Sequence, residues 1–70
     1  MVQKRLGNTG LEIESYKRAI RIDPDFAFAH YNLGVALLQS GDKAAALDEY
    51  KILKNLDQQG ANQLFNQIYY

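Results

Sequence analysis

Apolar residues recur along this chain at helical spacing, and residues 27–57, AFAHYNLGVALLQSGDKAAALDEYKILKNLD, carry the clearest pattern. His30, Leu33, Gly34 and Leu37 fall at i, i+3, i+4 and i+7, with Phe28, Tyr31, Val35 and Leu38 as a second stripe opposite. A helix over residues 26–39 is therefore apolar nearly all round. Gly34 in its middle costs about 1 kcal/mol relative to alanine and marks a place where another helix comes close. Ser40-Gly41-Asp42 supplies a helix stop and then an N-cap. The next helix spans residues 43–56, with Ala46, Leu47, Tyr50 and Leu53 facing inward. Ala46 is small where Gly34 is small, so these two backbones are expected to approach there.

Upstream, residues 10–22 place Ile13, Tyr16, Ala19 and Ile20 on one helical face and Glu14, Lys17, Arg18 and Arg21 on the other. Thr9 and Glu12 have capping-box spacing. Asp23-Pro24-Asp25 ends this helix, because the residue before proline resists the α conformation, and Asp25 is expected to cap the helix that follows. Residues 1–6 predict one or two turns of helix before a break at Gly7-Asn8-Thr9-Gly10. A last helix is predicted over residues 61–69, with Leu64, Phe65 and Ile68 as its apolar side. The fold class is all-α, built of antiparallel helix-turn-helix units.

Composition narrows the function. Seventy residues make one small domain, near the size at which a single core is barely self-sufficient. The absence of cysteine excludes disulfides and thiolate metal sites, which leaves oligomerisation as the remaining help for a small scaffold. An apolar share of 47% argues against disorder. Zero formal net charge argues against nucleic acid, whose binding draws on excess Lys and Arg. The apolar run at residues 35–38 is far too short to span a bilayer, and the opening MVQKRLGNTG lacks the apolar stretch of a signal peptide. These features predict a cytoplasmic protein with no membrane partner. Charge is nonetheless uneven: five basic residues face two acidic ones up to Ile22, against three and six from Asp23 onward. A basic front and acidic rear favour head-to-tail association, although solvated helix faces are the simpler reading, since exposed pairs contribute only about 0–1 kcal/mol.

The chain also repeats itself. At an offset of 34, Gly7 matches Gly41, Tyr16 matches Tyr50, Lys17 matches Lys51, Asp23 matches Asp57, Ala27 matches Ala61 and Asn32 matches Asn66. This period and these residues resemble the tetratricopeptide repeat, whose pattern is Trp-x2-Leu-Gly-x2-Tyr, then Ala-x3-Phe, then Pro. Here it reads His30-x2-Leu33-Gly34-x2-Leu37, then Ala46-x3-Tyr50, then Gln58, with Asp23-Pro24 closing the preceding repeat. The resemblance implies an α-solenoid in three parts: a partial repeat over residues 1–25, a complete one over 26–58 and a capping helix over 59–70. Two registers remain for the first part. Glu12 stands where Ala46 is expected, or Leu6-Gly7-Asn8 echoes Leu33-Gly34-Val35. Either way most of one helix is missing, and another copy of the chain, or sequence beyond it, is expected to supply it.

No catalytic group is predicted. His30 is the only histidine and lies in the packing stripe, with no nucleophile and third group beside it. Metal and cofactor sites are not expected either, because one histidine among scattered carboxylates is too few ligands. Asp23/Asp25 and Asp48/Glu49 fit turns and a solvated face. What the resemblance implies instead is a groove for a protein or peptide partner. By position it maps to Phe28, Tyr31, Asn32, Val35, Leu38 and Gln39, with Asn62, Phe65, Asn66 and Tyr69 continuing it on the last helix. The alternative for Tyr31, Val35 and Leu38 is burial under neighbouring helices. The family's carboxylate-clamp subtype is disfavoured, because Asn62 and Asn66 stand where its basic residues belong. A neutral, aromatic groove points to an apolar or amphipathic segment. The leading expectation is a non-catalytic interaction module; the alternative is a structural unit that assembles with copies of itself, or a fragment of a longer repeat protein.

Overall fold

A computed structural model describes residues 9–70, the side chain of Thr9 excepted. The predicted turn over residues 1–6, the break up to Asn8 and the Thr9 half of the capping box lie outside the described residues. Four helices follow: α1 (Thr9–Ile22), α2 (Ala27–Gln39), α3 (Lys43–Leu56) and α4 (Gln58–Tyr69). The described residues contain no strand, in keeping with an all-α fold of antiparallel helix-turn-helix units.

Helix α2 is the centre because it is apolar on every side. It packs on α1, α3 and α4 and buries Ala29, His30, Leu33, Gly34, Ala36 and Leu37. The core joins Leu33 and Leu37 to Ala46 and Leu53 of α3 and to Ala61, Leu64 and Ile68 of α4. Leu53 and Leu64 are fully enclosed, and burial of each contributes about 1.5–3 kcal/mol. Helix α1 adds only the partly buried Ile13, Tyr16 and Ile20.

The turns follow from their residues. Gly41 has φ 91°, a left-handed conformation that glycine adopts without penalty. Its N–H donates to Leu38 O at 3.0 Å and the Asp42 N–H to Leu37 O at 2.8 Å, the Schellman pairing that closes a helix. Asp42 then caps α3 by accepting from the Ala45 N–H at 3.1 Å. The expected Asp25 cap is not formed: α2 begins after Phe26 and has no side-chain cap. Asp23 is the residue that structures this turn, its Oδ1 accepting from the Asp25 N–H at 3.2 Å.

Two further observations go beyond the expectations. The nearest occupant of the notch at Gly34 is Leu64 of α4: a Cβ there would stand 2.6 Å from Cδ2 of Leu64 and 3.1 Å from Cδ1. Ala46 of α3 is buried as expected. Helix α4 also starts three residues earlier than predicted. At an offset of 34, Gln58 and Gln59 correspond to Pro24 and Asp25, which form the α1–α2 turn. Without that proline, two good helix formers extend α4 by most of a turn, and Asp57 alone links α3 to α4.

The first-repeat register is now clear. The last residues of α1 and α3, Ile22 and Leu56, coincide at offset 34, as do Tyr16 and Tyr50 within them. Glu12 is therefore the counterpart of Ala46.

Candidate functional site

The early start of α4 sets its first turn opposite α2 across a cleft. Ala27, Phe28, Tyr31 and Asn32 of α2 face Asp57, Gln59, Gly60 and Gln63 across a cleft of about 350 Å³. Phe28, 66% exposed, forms an aromatic wall, and Tyr31 is half-buried. The Tyr31 hydroxyl accepts a hydrogen bond from Nε2 of Gln67, which joins the two walls further along the helices. Asn32, Gln59 and Gln63 offer amides, and Asp57 offers a carboxylate. The cleft can therefore hold apolar surface against rings and bond a polar backbone.

Of the predicted groove residues, Phe28, Tyr31 and Asn32 come together in this cleft. Val35 and Leu38 are half-buried against the core, and Gln39 is exposed on the last turn of α2. The α4 residues do not join them. Asn62 accepts from Gln58 Nε2 at 3.1 Å. Phe65 packs on Tyr50 of α3 and on Tyr69, with ring centroids 5.4 and 4.8 Å apart, and Lys43 Nζ lies 4.6 Å from the Tyr69 ring centre. Asn66 is exposed and does not line the cleft. The aromatic side of α4 thus meets α3, while its glutamine side meets α2.

Sequence reasoning missed Asp57, Gln59, Gly60 and Gln63. A signal was available: Asp57 is a residue type that opens helices, and it precedes two helix-favouring glutamines.

His30 does a different job. Its Nε2 donates to the Pro24 carbonyl at 2.7 Å, and its Nδ1 lies 2.6 Å from Oε1 of Glu49. A carbonyl only accepts, so Nε2 carries the hydrogen of that bond. This buried ring clasps the α1–α2 turn to α3 and has no place in the cleft. Among the described residues no group of three or more His, Asp or Glu is placed to hold a metal ion, and no helix is long and apolar enough to cross a membrane.

Helices recurring 34 residues apart, stacked around a shared central helix, define an α-solenoid of helical hairpins. The chain belongs to the tetratricopeptide-repeat family: a TPR repeat model matches residues 13–41 and a tetratricopeptide repeat model matches residues 29–59. The first match covers most of α1 with α2, and the second covers α2 with α3. No curated protein and no solved structure matches the chain. Repeats of this family are in general protein–protein interaction modules and are typically non-catalytic.

Proposed function

We propose that this chain is a non-catalytic adaptor that takes up a peptide or partner helix along the exposed side of α2. The observation that carries this reading is the cleft itself, where the exposed ring of Phe28 stands beside Tyr31 and three amide side chains. Aromatic residues give large contact area with few rotors to freeze, and amides bond a backbone in either sense. Val35, Leu38 and Gln39 extend the same side of α2, whereas Asn62, Phe65 and Asn66 belong to a separate aromatic face of α4 that such a ligand reaches only by wrapping around the helix. Selection of displayed peptides on the immobilised chain tests the reading. Selected peptides should lose binding to Phe28→Ala and Tyr31→Ala while Leu11→Ala, far along the chain, leaves it unchanged. Binders indifferent to both cleft variants would overturn it.

Self-assembly is the second reading. It draws support from exposed Leu11 and Ile22 on α1, and from Tyr69 and Tyr70 at the other end of the chain. Against it, the outer side of α1 also carries Glu12, Glu14, Lys17 and Arg18, all exposed, and a copy seated there would have to desolvate them.

A further inference from the structure

We propose that the α2–α4 cleft selects its partner by a cationic side chain, arginine or lysine, whose head pairs with Asp57 while its stem lies along Phe28 and Tyr31. The inference rests on the adaptor reading and adds to it the charge of the ligand.

The first ground is an idle carboxylate. Asp57 occupies the N-cap of α4, where an aspartate ordinarily accepts from the first-turn amides, yet it makes no side-chain cap hydrogen bond. Among the described residues it also has no ion-pair partner. The second ground is the space kept for it. A Cβ on Gly60 would stand 2.9 Å from Oδ2 of Asp57 and 3.3 Å from Cγ, so glycine is what lets the carboxylate lie against the first turn of α4.

Charge settles the sign of the ligand. No lysine or arginine lines the cleft, and residues 23–70 hold six acidic side chains against three lysines. Two of those lysines, Lys43 and Lys54, sit over the rings of Tyr69 and Tyr50. A helix N-terminus alone attracts anions, but an incoming carboxylate here meets Asp57 first. A guanidinium or ammonium gains the carboxylate and can place its methylenes on the exposed Phe28 ring. The volume of about 350 Å³ lies at the small end of ligand sites, and suits one long side chain with its flanking backbone.

The test is an NMR titration of the isotope-labelled full chain with acetylated, amidated Ala-Leu-Arg-Leu-Ala and the same peptide carrying glutamine or glutamate at the centre. The arginine peptide should shift the amides of Asp57, Gln59, Gly60 and Gln63 and bind about fivefold more tightly than the glutamine peptide, the upper range for an exposed pair. Asp57→Asn should erase that preference, Gly60→Ala should reduce it by displacing the carboxylate, and Asp23→Asn should leave it intact. Equal binding of the arginine and glutamine peptides at these amides overturns the charge selection and leaves the groove standing. Failure of every peptide to shift any cleft amide, with a folded spectrum, counts against the groove as well.

Discussion

Helices α1 and α3 are the same part of the repeat written twice. They end at matching positions, Ile22 and Leu56, and they share Tyr16 with Tyr50 and Lys17 with Lys51. Their surroundings differ. Helix α3 is flanked by α2 and α4, whereas α1 packs chiefly on α2. Burial follows: Ala46 and Leu53 of α3 are at 0% exposure, but their counterparts Glu12 and Ala19 are exposed and half-buried. Of the shared pairs, Tyr16 and Tyr50 are both half-buried, Tyr50 against Phe65 of α4, while Lys17 and Lys51 are both exposed. The sequences diverge at Glu12/Ala46 and Ala19/Leu53, where α3 is enclosed and α1 is not, as expected where repeats differ in their stacking neighbours.

The largest test of this contrast removes a core side chain from each helix. Leu53→Ala should cost about 3.5 kcal/mol, the middle of the range for a fully buried leucine. A chain of this size has a total stability of roughly 4–10 kcal/mol, so this variant should melt at much lower urea and populate unfolded molecules in water. Ile13→Ala, in half-buried α1, should cost about 1 kcal/mol. Equal losses in urea titrations would mean that α1 belongs to the core as fully as α3 does.

A smaller effect probes the second neighbour of α2. Gly34→Ala gains helix propensity of about 1 kcal/mol, but its new methyl overlaps the Cδ atoms of the fully buried Leu64. Overpacking costs about 1–3 kcal/mol, so the variant should be destabilised by roughly 1 kcal/mol. In a Leu64→Ala background the same change should stabilise, because the obstructing methyls are gone. That reversal of sign in a double-mutant cycle is the readout. An unchanged sign would mean that α2 and α4 are not locked at this notch.

These contacts also mark what could be read in advance. Helix period, the Gly41 turn and the Asp42 cap were legible because each depends on neighbours in sequence. Gly34 was legible as a place of close approach, but Leu64 as the nearest side chain was not, since that depends on how a third helix docks. The α2 half of the candidate site was legible through Phe28, Tyr31 and Asn32. The α4 half was not: the missing proline at Gln58 lengthened the helix and presented Gln59, Gly60 and Gln63 to α2. Extrapolating the repeat placed Asn62 and Phe65 there instead, on the assumption that α4 begins where α2 does.

The smallest change in stability carries the sharpest question about the open end. Glu12 occupies the place that Ala46 fills in α3, where a neighbouring helix comes close. A second copy docking at α1 in the same manner would bury that carboxylate without a partner, at a cost of several kcal/mol. Glu12→Ala should alter stability by no more than about 0.5 kcal/mol, as an exposed substitution, since a little lost attraction to the α1 N-terminus offsets a little gained propensity. Its effect should show in mass. Sedimentation equilibrium should find the parent chain's apparent mass flat with concentration and the variant's rising. A parent whose mass already rises would mean that Glu12 does not guard this end, and the balance would move from the adaptor to self-assembly. A flat variant would mean that the charges of α1 other than Glu12, or the lack of a matching face on α4, suffice to stop the stack.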